Sequence, residues 1–355
     1  MDRKVLVNVL SQMKNVVGNN QLVPEYHDFQ FDGDHVQATN GSLLMDIHLP
    51  FDTGLHCAVP VKFLTLLSGV SGDIISVEAT EKKVTIKSNR VLGTFEVRPS
   101  CFEIVAESDV SEDLEDLQKL NHISELVDGL VVVSFGTSPD KASGTYQGVR
   151  IKDSRLYSTD RYRVVKWELG FPTGLDVIIT TSFIQLLKKH KDSLVYLGPG
   201  TNKTFIAKTK EGMTIVSSVI PGKFPELDQY FEVGADSIQV TFGKALWPTI
   251  ERHVQVLEPI DLYERITKIE IRDGGAILTS EMPQHSEVTE DIDIIEEINV
   301  RLTFWLNPTF LKEIVGFCKG FFFYPDSGLI LFVSDKLTYL MRTADFEKIG
   351  DTGEK

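Results

Sequence analysis

Apolar residues recur every third or fourth position through Val5, Leu6, Val9, Leu10, Met13, Val16 and Val17, the period of a helix with one buried stripe. The same period returns at Ile123, Leu126, Val127, Leu130 and Val131, and again at Leu246, Ile250, Val254 and Leu257. A second set of short helices is expected at Lys62–Leu67, Ser182–Leu187 and Thr309–Ile314, each carrying a phenylalanine followed by an aliphatic residue. They start behind Pro60, Thr181 and Asn307-Pro308, residue types that suit a helix N-terminus. Between the helices the pattern switches to that of several short strands. Such runs include Ile74–Ala79 with Lys83–Lys87, Thr204–Lys208 with Met213–Ser218, and Phe321–Tyr324 with Leu329–Val333.

These elements repeat. Gln30–Ser42, Arg150–Tyr162 and Glu270–Met282 align without a gap, each reading as apolar residue, polar turn, strand and threonine. Phe31, Ile151 and Ile271 correspond, as do Thr39, Thr159 and Thr279, at a spacing of 120 residues in both steps. Asp32-Gly33 and Asp273-Gly274 sit between alternating apolar residues, where they signal tight hairpins. Two independent triplets predict an α+β chain of three similar domains, 1–106, 107–233 and 234–355. Each would pack two amphipathic helices on antiparallel strands. The joints fall at the acidic stretch Glu103–Asp116 and at Glu232–Asp236, and Asp345–Lys355 reads as a frayed polar tail.

Composition narrows the function. No apolar run approaches the roughly 20 residues of a membrane span, and the N-terminus is amphipathic rather than a signal peptide. Cys57, Cys101 and Cys318 are odd in number and far apart, which suits a reducing cytoplasm and no disulfide framework. A net charge of -15 argues against tight binding to nucleic acid, unless the basic residues are segregated onto one surface. There is a sign of segregation. Lys4 lies opposite the apolar stripe of the first helix with Lys14 at its flank. Lys62, Lys188, Lys189, Lys312, Lys319 and Arg252 lie off the stripes of later helices. Acidic residues instead crowd Asp109–Asp116 and Glu287–Glu297, although Glu125 and Asp128 interrupt the separation. Surface lysines more commonly mark ordinary solvated helix faces.

Signals of catalysis are poor, and nothing calls for a cofactor or a metal. Gly198–Thr204 looks like a phosphate-binding loop, but Leu197 and Asn202 stand where its glycines should be. Phe205-Ile206-Ala207 then continues as strand rather than helix, so the segment reads as a turn. The eight histidines are scattered, with no zinc spacing. Asp291, Asp293, Glu296 and Glu297 could form a two-metal nuclease site, but Asp-Ile-Asp-Ile reads better as the solvent side of a strand.

Several motifs resemble those of the bacterial DNA sliding clamp. Gly148-Val149 with Leu156–Val164 is similar to that family's Ala-Thr-Asp-Gly-His-Arg-Leu stretch. Ile220–Leu227 resembles its Gly-Arg-Phe-Pro-Asp-Tyr segment. In the third repeat, Glu287–Ile294 and Leu302–Pro308 resemble the acidic strand and the helix start, and Tyr339–Arg342 stands where the family ends in Met-Pro-Met-Arg-Leu. The match spans nearly the whole chain and is weakest in the first repeat. Arg161 departs from the usual glycine and Tyr162 from the usual histidine, and the ending has become Arg342–Phe346 with nine further residues.

The resemblance implies a non-enzymatic processivity factor. It would close as a head-to-tail homodimeric ring around double-stranded DNA, without regard to sequence, and bind DNA polymerase and a clamp loader. It implies a cytoplasmic protein of a bacterium or its nucleoid, or of the host cytoplasm if phage-encoded, with no membrane association. The helices named above would line the hole. Carried over residue by residue, the peptide pocket between the second and third repeats would comprise Tyr146, Thr159, Arg161, Tyr162, Arg163, Val164, Pro225, Gln229, Tyr230, Leu340, Met341 and Arg342. Two other readings stay open: a metal-dependent nucleic-acid enzyme using the acidic strand, and a clamp-derived interaction module that no longer encircles DNA.

Overall fold

Helix α1 (Arg3–Met13) begins at Asp2, whose carboxylate accepts a hydrogen bond from the Val5 amide at 3.1 Å. It buries Leu6, Val9, Leu10 and Met13, the stripe the periodicity marks. Helix α2 (Lys62–Gly69) packs against it and buries Phe63, Leu64 and Leu67. Helix α3 (Leu120–Val133) buries Ile123, Leu126, Val127 and Leu130. Helix α4 (Thr181–His190) is capped by Thr180, one residue earlier than the expected start, with Oγ1 accepting from the Phe183 amide at 3.3 Å. Helices α5 (Leu246–Val256) and α6 (Pro308–Val315) pack together, and Asn307 caps α6 by accepting from the Thr309 amide at 2.9 Å. Full burial of each such aliphatic side chain contributes about 1.5–3 kcal/mol.

This computed structural model describes residues 1–18, 23–88, 91–101, 118–232, 236–241, 243, 245–272, 274–282, 286–293 and 301–349. The expected joint at Glu103–Asp116, the middle of the joint at Glu232–Asp236, and Asp273, Glu296 and Glu297 lie outside the described residues.

The three gapless segments fold as hairpins in one register. Phe31 pairs with Val36, Ile151 with Leu156, and Ile271 with Ala276. A slip of one residue would turn every side chain to the opposite face, so the sequence period holds to the single residue. The repeat extends to the loops: the Gly18 amide donates to the Tyr26 carbonyl at 2.8 Å, and the Ser138 amide to the Tyr146 carbonyl at 2.8 Å.

By contact the chain forms two compact units, Met1–Val131 with Phe171–Pro221, and Val132–Gly170 with Gly222–Lys355. In the first, an eight-stranded antiparallel sheet runs Leu194–Pro199, Thr204–Thr209, Met213–Ser218, Leu43–His48, His35–Thr39, Asp28–Asp32, Cys57–Pro60 and Arg98–Pro99. A three-stranded sheet, Ser76–Ala79, Lys83–Ser88 and Val91–Glu96, and the strand Asp176–Thr180 belong to the same unit. In the second unit, strands follow the order Gly148–Lys152, Arg155–Thr159, Arg163–Glu168, Leu337–Arg342, Leu329–Val333, Gly320–Tyr324 and Ile238–Thr241. A five-stranded sheet runs Ser286–Asp293, Gly275–Met282, Thr267–Arg272, Arg301–Leu306 and Asp345–Ile349. The units interleave in sequence because strands pair across repeats: Met213–Ser218 with Leu43–His48, and Arg163–Glu168 with Leu337–Arg342.

One expectation fails. Asp345–Ile349 is not a frayed tail but a strand on the edge of Arg301–Leu306. An open edge offers a row of backbone donors and acceptors, and a polar sequence can satisfy them as well as an apolar one. The phosphate-loop lookalike is a turn between strands, closed by the Gly200 amide donating to the Thr204 carbonyl at 2.9 Å. In the acidic strand, Asp291 and Asp293 are exposed on either side of buried Ile292, and Asp291 accepts from Arg272 at 3.0 Å.

Candidate functional site

Strand Arg155–Thr159 turns into strand Arg163–Glu168 through Asp160, Arg161 and Tyr162. The turn is held by side chains. Thr159 Oγ1 donates to the Arg163 carbonyl at 2.6 Å and accepts from the Arg161 amide at 3.1 Å. Asp160 Oδ1 accepts from the amides of Tyr162 at 3.0 Å and Arg163 at 3.2 Å. Arg161 adopts φ +80°, in the left-handed region that favours glycine. Its guanidinium lies 4.8 Å from the centroid of the Tyr146 ring.

Behind the turn, Arg163 is 3% exposed and fully engaged. Nε donates to Asp160 Oδ2 at 3.0 Å, Nη2 to the Phe135 carbonyl at 2.5 Å, and Nη1 to Glu313. Its guanidinium also covers the Phe310 ring at 3.9 Å. Burial raises the Glu313 carboxyl, Arg163 draws it down and Asp160 pushes it up again, leaving it at about 7.

The facing wall comes from strand Leu337–Arg342, where Val164 pairs with Leu340 and Arg163 with Met341. Leu340 packs with Tyr324 and Leu331 in a small core. A third wall is the Phe224–Leu227 segment and the short helical turn Asp228–Phe231. Glu226 ties this segment down, accepting from Arg150 at 3.0 Å and Lys152 at 2.8 Å. Those hydrogen bonds, that of Lys152 foremost, lower its carboxyl to about 2. Tyr157 Oη donates to Asp228 at 2.7 Å and fixes the turn that carries Tyr230.

Together these walls enclose a cavity of about 350 Å³. Of the twelve residues carried over from the family, eleven line it: Tyr146, Thr159, Arg161, Tyr162, Arg163, Val164, Pro225, Tyr230, Leu340, Met341 and Arg342. Gln229 does not; it is exposed, with its amide nitrogen 3.4 Å from the Glu226 carbonyl oxygen. On a single helical turn, adjacent residues face different ways, so Tyr230 enters the cavity and its neighbour cannot. Leu227 and Leu329 line the cavity and were not foreseen. Leu329 follows from the topology, since it pairs with Arg342 only once the strands are placed, whereas Leu227 stands two residues after Pro225 in the same wall.

A second cavity of about 430 Å³ shares Arg161, Tyr162 and Arg342 with the first and continues past Tyr263, Arg265, Asn307, Phe310, Thr343 and Ala344. Tyr162, 54% exposed, stacks on Tyr263 at 4.6 Å between centroids. Arg161 and Arg342 carry no ion pair among the described residues, which leaves two cations on the rim of an apolar groove.

The predicted basic residues divide in two. Lys4 pairs with Asp73 at 3.0 Å, Lys312 with Glu251 at 3.0 Å, and Arg252 donates to Glu290 at 2.7 Å. Lys14, Lys62, Lys188, Lys189 and Lys319 are exposed and carry no ion pair among the described residues. Among the described residues, no helix is long and apolar enough to cross a membrane.

The fold is that of the bacterial DNA sliding clamps. The chain is similar to the DNA polymerase III subunit beta of Pseudomonas aeruginosa, with TM-score 0.76 and 17% identity, over 97% of this chain and 99% of that one. It is similar to Caulobacter crescentus pol III beta, with TM-score 0.76 and 15% identity over 97% and 99%. The beta subunit of Streptococcus pyogenes DNA polymerase gives TM-score 0.75 and 15% identity over 97% and 98%. No protein-family model matches the sequence, and no curated protein does.

Proposed function

We propose that this protein is a DNA sliding clamp, a processivity factor and not an enzyme. It encircles double-stranded DNA as a head-to-tail homodimeric ring and tethers a DNA polymerase after placement by a clamp loader. The observation that carries the reading is the clamp fold over 97% of the chain. The cavity formed at the residues whose motifs resemble the family's pocket supports it. The repeats 1–106, 107–233 and 234–355 are then three clamp domains, and two chains give a ring of six. The setting is a bacterial cytoplasm, or that of a host if the gene is a phage's.

The acidic balance fits such a mechanism. With a net charge of -15, the chain is not built to grip duplex by neutralising many phosphates. A ring does not need to grip. Lys14, Lys62, Lys188, Lys189 and Lys319 offer weak, interchangeable phosphate contacts, and retention comes from topology. The nuclease reading is not favoured, since Asp291 is neutralised by Arg272 and stands exposed on a strand.

The groove takes a partner peptide with apolar anchors. Arg161 and Arg342 on its rim favour an acidic residue beside those anchors. Tyr230, 50% exposed, is the cleaner probe of it, because Leu340 at 4% exposure also holds the core. Tyr230→Ala should cost about 1–3 kcal/mol of peptide affinity by titration calorimetry, as for an aromatic anchor. Encirclement is tested directly. Protein loaded on nicked circular DNA should survive a salt wash and run off once the DNA is cut to a linear form. Equal loss from circular and linear DNA would end the clamp reading, as would a strict monomer of 39.8 kDa at tens of micromolar.

A further inference from the structure

The hairpin of His35–Thr39 and Leu43–His48 ends in a side-chain cluster that the clamp reading does not use. His35 and His48 are a registered cross-strand pair, so their imidazoles stand on one face of the sheet, with ring centroids 5.0 Å apart. Asp34, in the turn before His35, puts its carboxylate between them. Oδ2 lies 2.9 Å from His48 Nε2, and Oδ1 lies 4.0 Å from His35 Nε2. The other ring nitrogen of His35, Nδ1, lies 3.3 Å from Oδ1 of Asp46, a side chain only 15% exposed.

We propose that Asp34, His35 and His48 form a binding site for a divalent transition-metal ion of the zinc class, with Asp46 orienting His35 from behind. The three residues each offer one ligand atom, and all of these atoms lie within 4.8 Å of one another. Bonds of about 2.0–2.2 Å from zinc to nitrogen and oxygen set neighbouring tetrahedral ligands about 3.3 Å apart. With a single oxygen of Asp34 as ligand, the three atoms lie within 4.8 Å of one another, so rotations of exposed side chains that close the widest gap by up to about 1.5 Å complete the set, with water in the fourth position.

The outer partner is the second, independent feature. Metal-bound histidines ordinarily give their other N–H to a carboxylate, which fixes the tautomer and the ring plane. Asp46 already holds that place: a proton on His35 Nδ1 directed at Asp46 leaves the Nε2 lone pair facing Asp34. The backbone beneath is rigid, because both histidines sit on hydrogen-bonded strands and the Leu49 amide donates to the Asp34 carbonyl at 2.6 Å. Two imidazoles among three ligands select zinc, nickel, cobalt or copper over magnesium and calcium, which require mostly oxygen. An ion here would cross-link the two strands of the hairpin and stabilise the first unit by mass action.

The test uses the full chain and zinc alone. Titration calorimetry should show a single zinc ion per chain. His35→Ala and His48→Ala should each weaken binding at least tenfold, and Asp46→Asn about tenfold, the range for a lost outer partner. Cobalt(II) should give visible absorption bands with the wild type that the His35→Ala/His48→Ala double variant lacks. His35 and His48 are 40% and 52% exposed, so alanine spares the core, and circular dichroism verifies folding. His48→Gln repeats the loss with a side chain of similar length. His56→Ala, on the neighbouring loop, should leave affinity unchanged. Equal zinc affinity in wild type and double variant would overturn the site. So would displacement of zinc by magnesium at comparable concentration, or an equal loss in His56→Ala.

Discussion

The turn at Thr39–Leu43 and the turn at Thr159–Arg163 are one backbone carrying two chemistries. In both, a threonine hydroxyl donates to the carbonyl four residues on, at 2.8 Å for Thr39 and 2.6 Å for Thr159. In both, the next side chain caps the amide two residues after it, at 3.0 Å for Asn40 and 3.0 Å for Asp160. In both, the third residue is left-handed, with φ +88° at Gly41 and φ +80° at Arg161. Then they diverge. Gly41 lies so close to Tyr26 that an added Cβ would come within 2.7 Å of its ring. At the equivalent place Arg161 spreads over Tyr146, and Leu43 is replaced by the buried, ion-paired Arg163. The repeat supplies the scaffold, and Arg161 and Arg163 turn a closed corner into the rim of a groove.

The largest effect should come from Arg163→Leu, which installs the first turn's side chain in the second. It strands Asp160 and Glu313 without their shared cation, and breaking a buried pair from one side costs about 3–5 kcal/mol. Urea unfolding measures it. Adding Asp160→Asn, the counterpart of Asn40, should recover part of the loss, since Glu313 at about 7 can take up a proton near neutrality. A silent Arg163→Leu would mean that the ionic set does not hold the turn, and the comparison would fail.

Gly41→Ala and Arg161→Gly should move stability in opposite directions. The first forces a Cβ into φ +88° and against Tyr26, at a cost of about 1–3 kcal/mol. The second relieves a left-handed arginine and should gain up to about 1 kcal/mol. It should also weaken binding of an acidic peptide about tenfold, the effect of losing one partly desolvated cation. A variant that is both more stable and still fully competent would show that Arg161 is not there for the ligand.

Much of this was legible in the sequence for identifiable reasons. Helix stripes such as Leu6, Val9, Leu10 and Met13 have a period that only one structure satisfies, and the hairpin triplets carry their own register. Six of the eleven expected residues that line the cavity, Thr159, Arg161, Tyr162, Arg163, Val164 and Pro225, fall in Thr159–Val164 and Phe224–Leu227, continuous segments whose local turns build the walls. What escaped depends on long-range pairing. Leu329 reaches the cavity through its strand partner Arg342, and Asp345–Ile349 becomes a strand only because another strand offers an edge. The Asp34, His35 and His48 cluster escaped for the same reason: residues far apart in sequence become neighbours only through cross-strand register.

The smallest expected effect concerns the straps behind the two turns, and it is one of pH. In the first repeat, Gln30 Oε1 accepts from the Cys101 amide at 3.1 Å, a neutral contact. In the second, the equivalent Arg150 instead pairs with Glu226, so the strap that holds Pro225 and Leu227 in the groove wall is ionic. Hydrogen bonds from Lys152 and Arg150 lower the Glu226 carboxyl to about 2. A depressed carboxyl lends its stability in full above the ordinary glutamate range, and that stability is lost as pH falls through that range toward about 2. Amide exchange in Phe224–Phe231 should therefore accelerate over that window, beyond the intrinsic change in exchange chemistry. The exposed carboxylate also predicts that high salt weakens the strap at neutral pH. Glu226→Gln should abolish the step. Arg150→Gln, which installs the first repeat's neutral side chain, should shrink it, because Lys152 alone then lowers the carboxyl. An unchanged step in both variants would show that the segment is held by the burial of Phe224 and Leu227 alone, and the two straps would then be equivalent despite their charges.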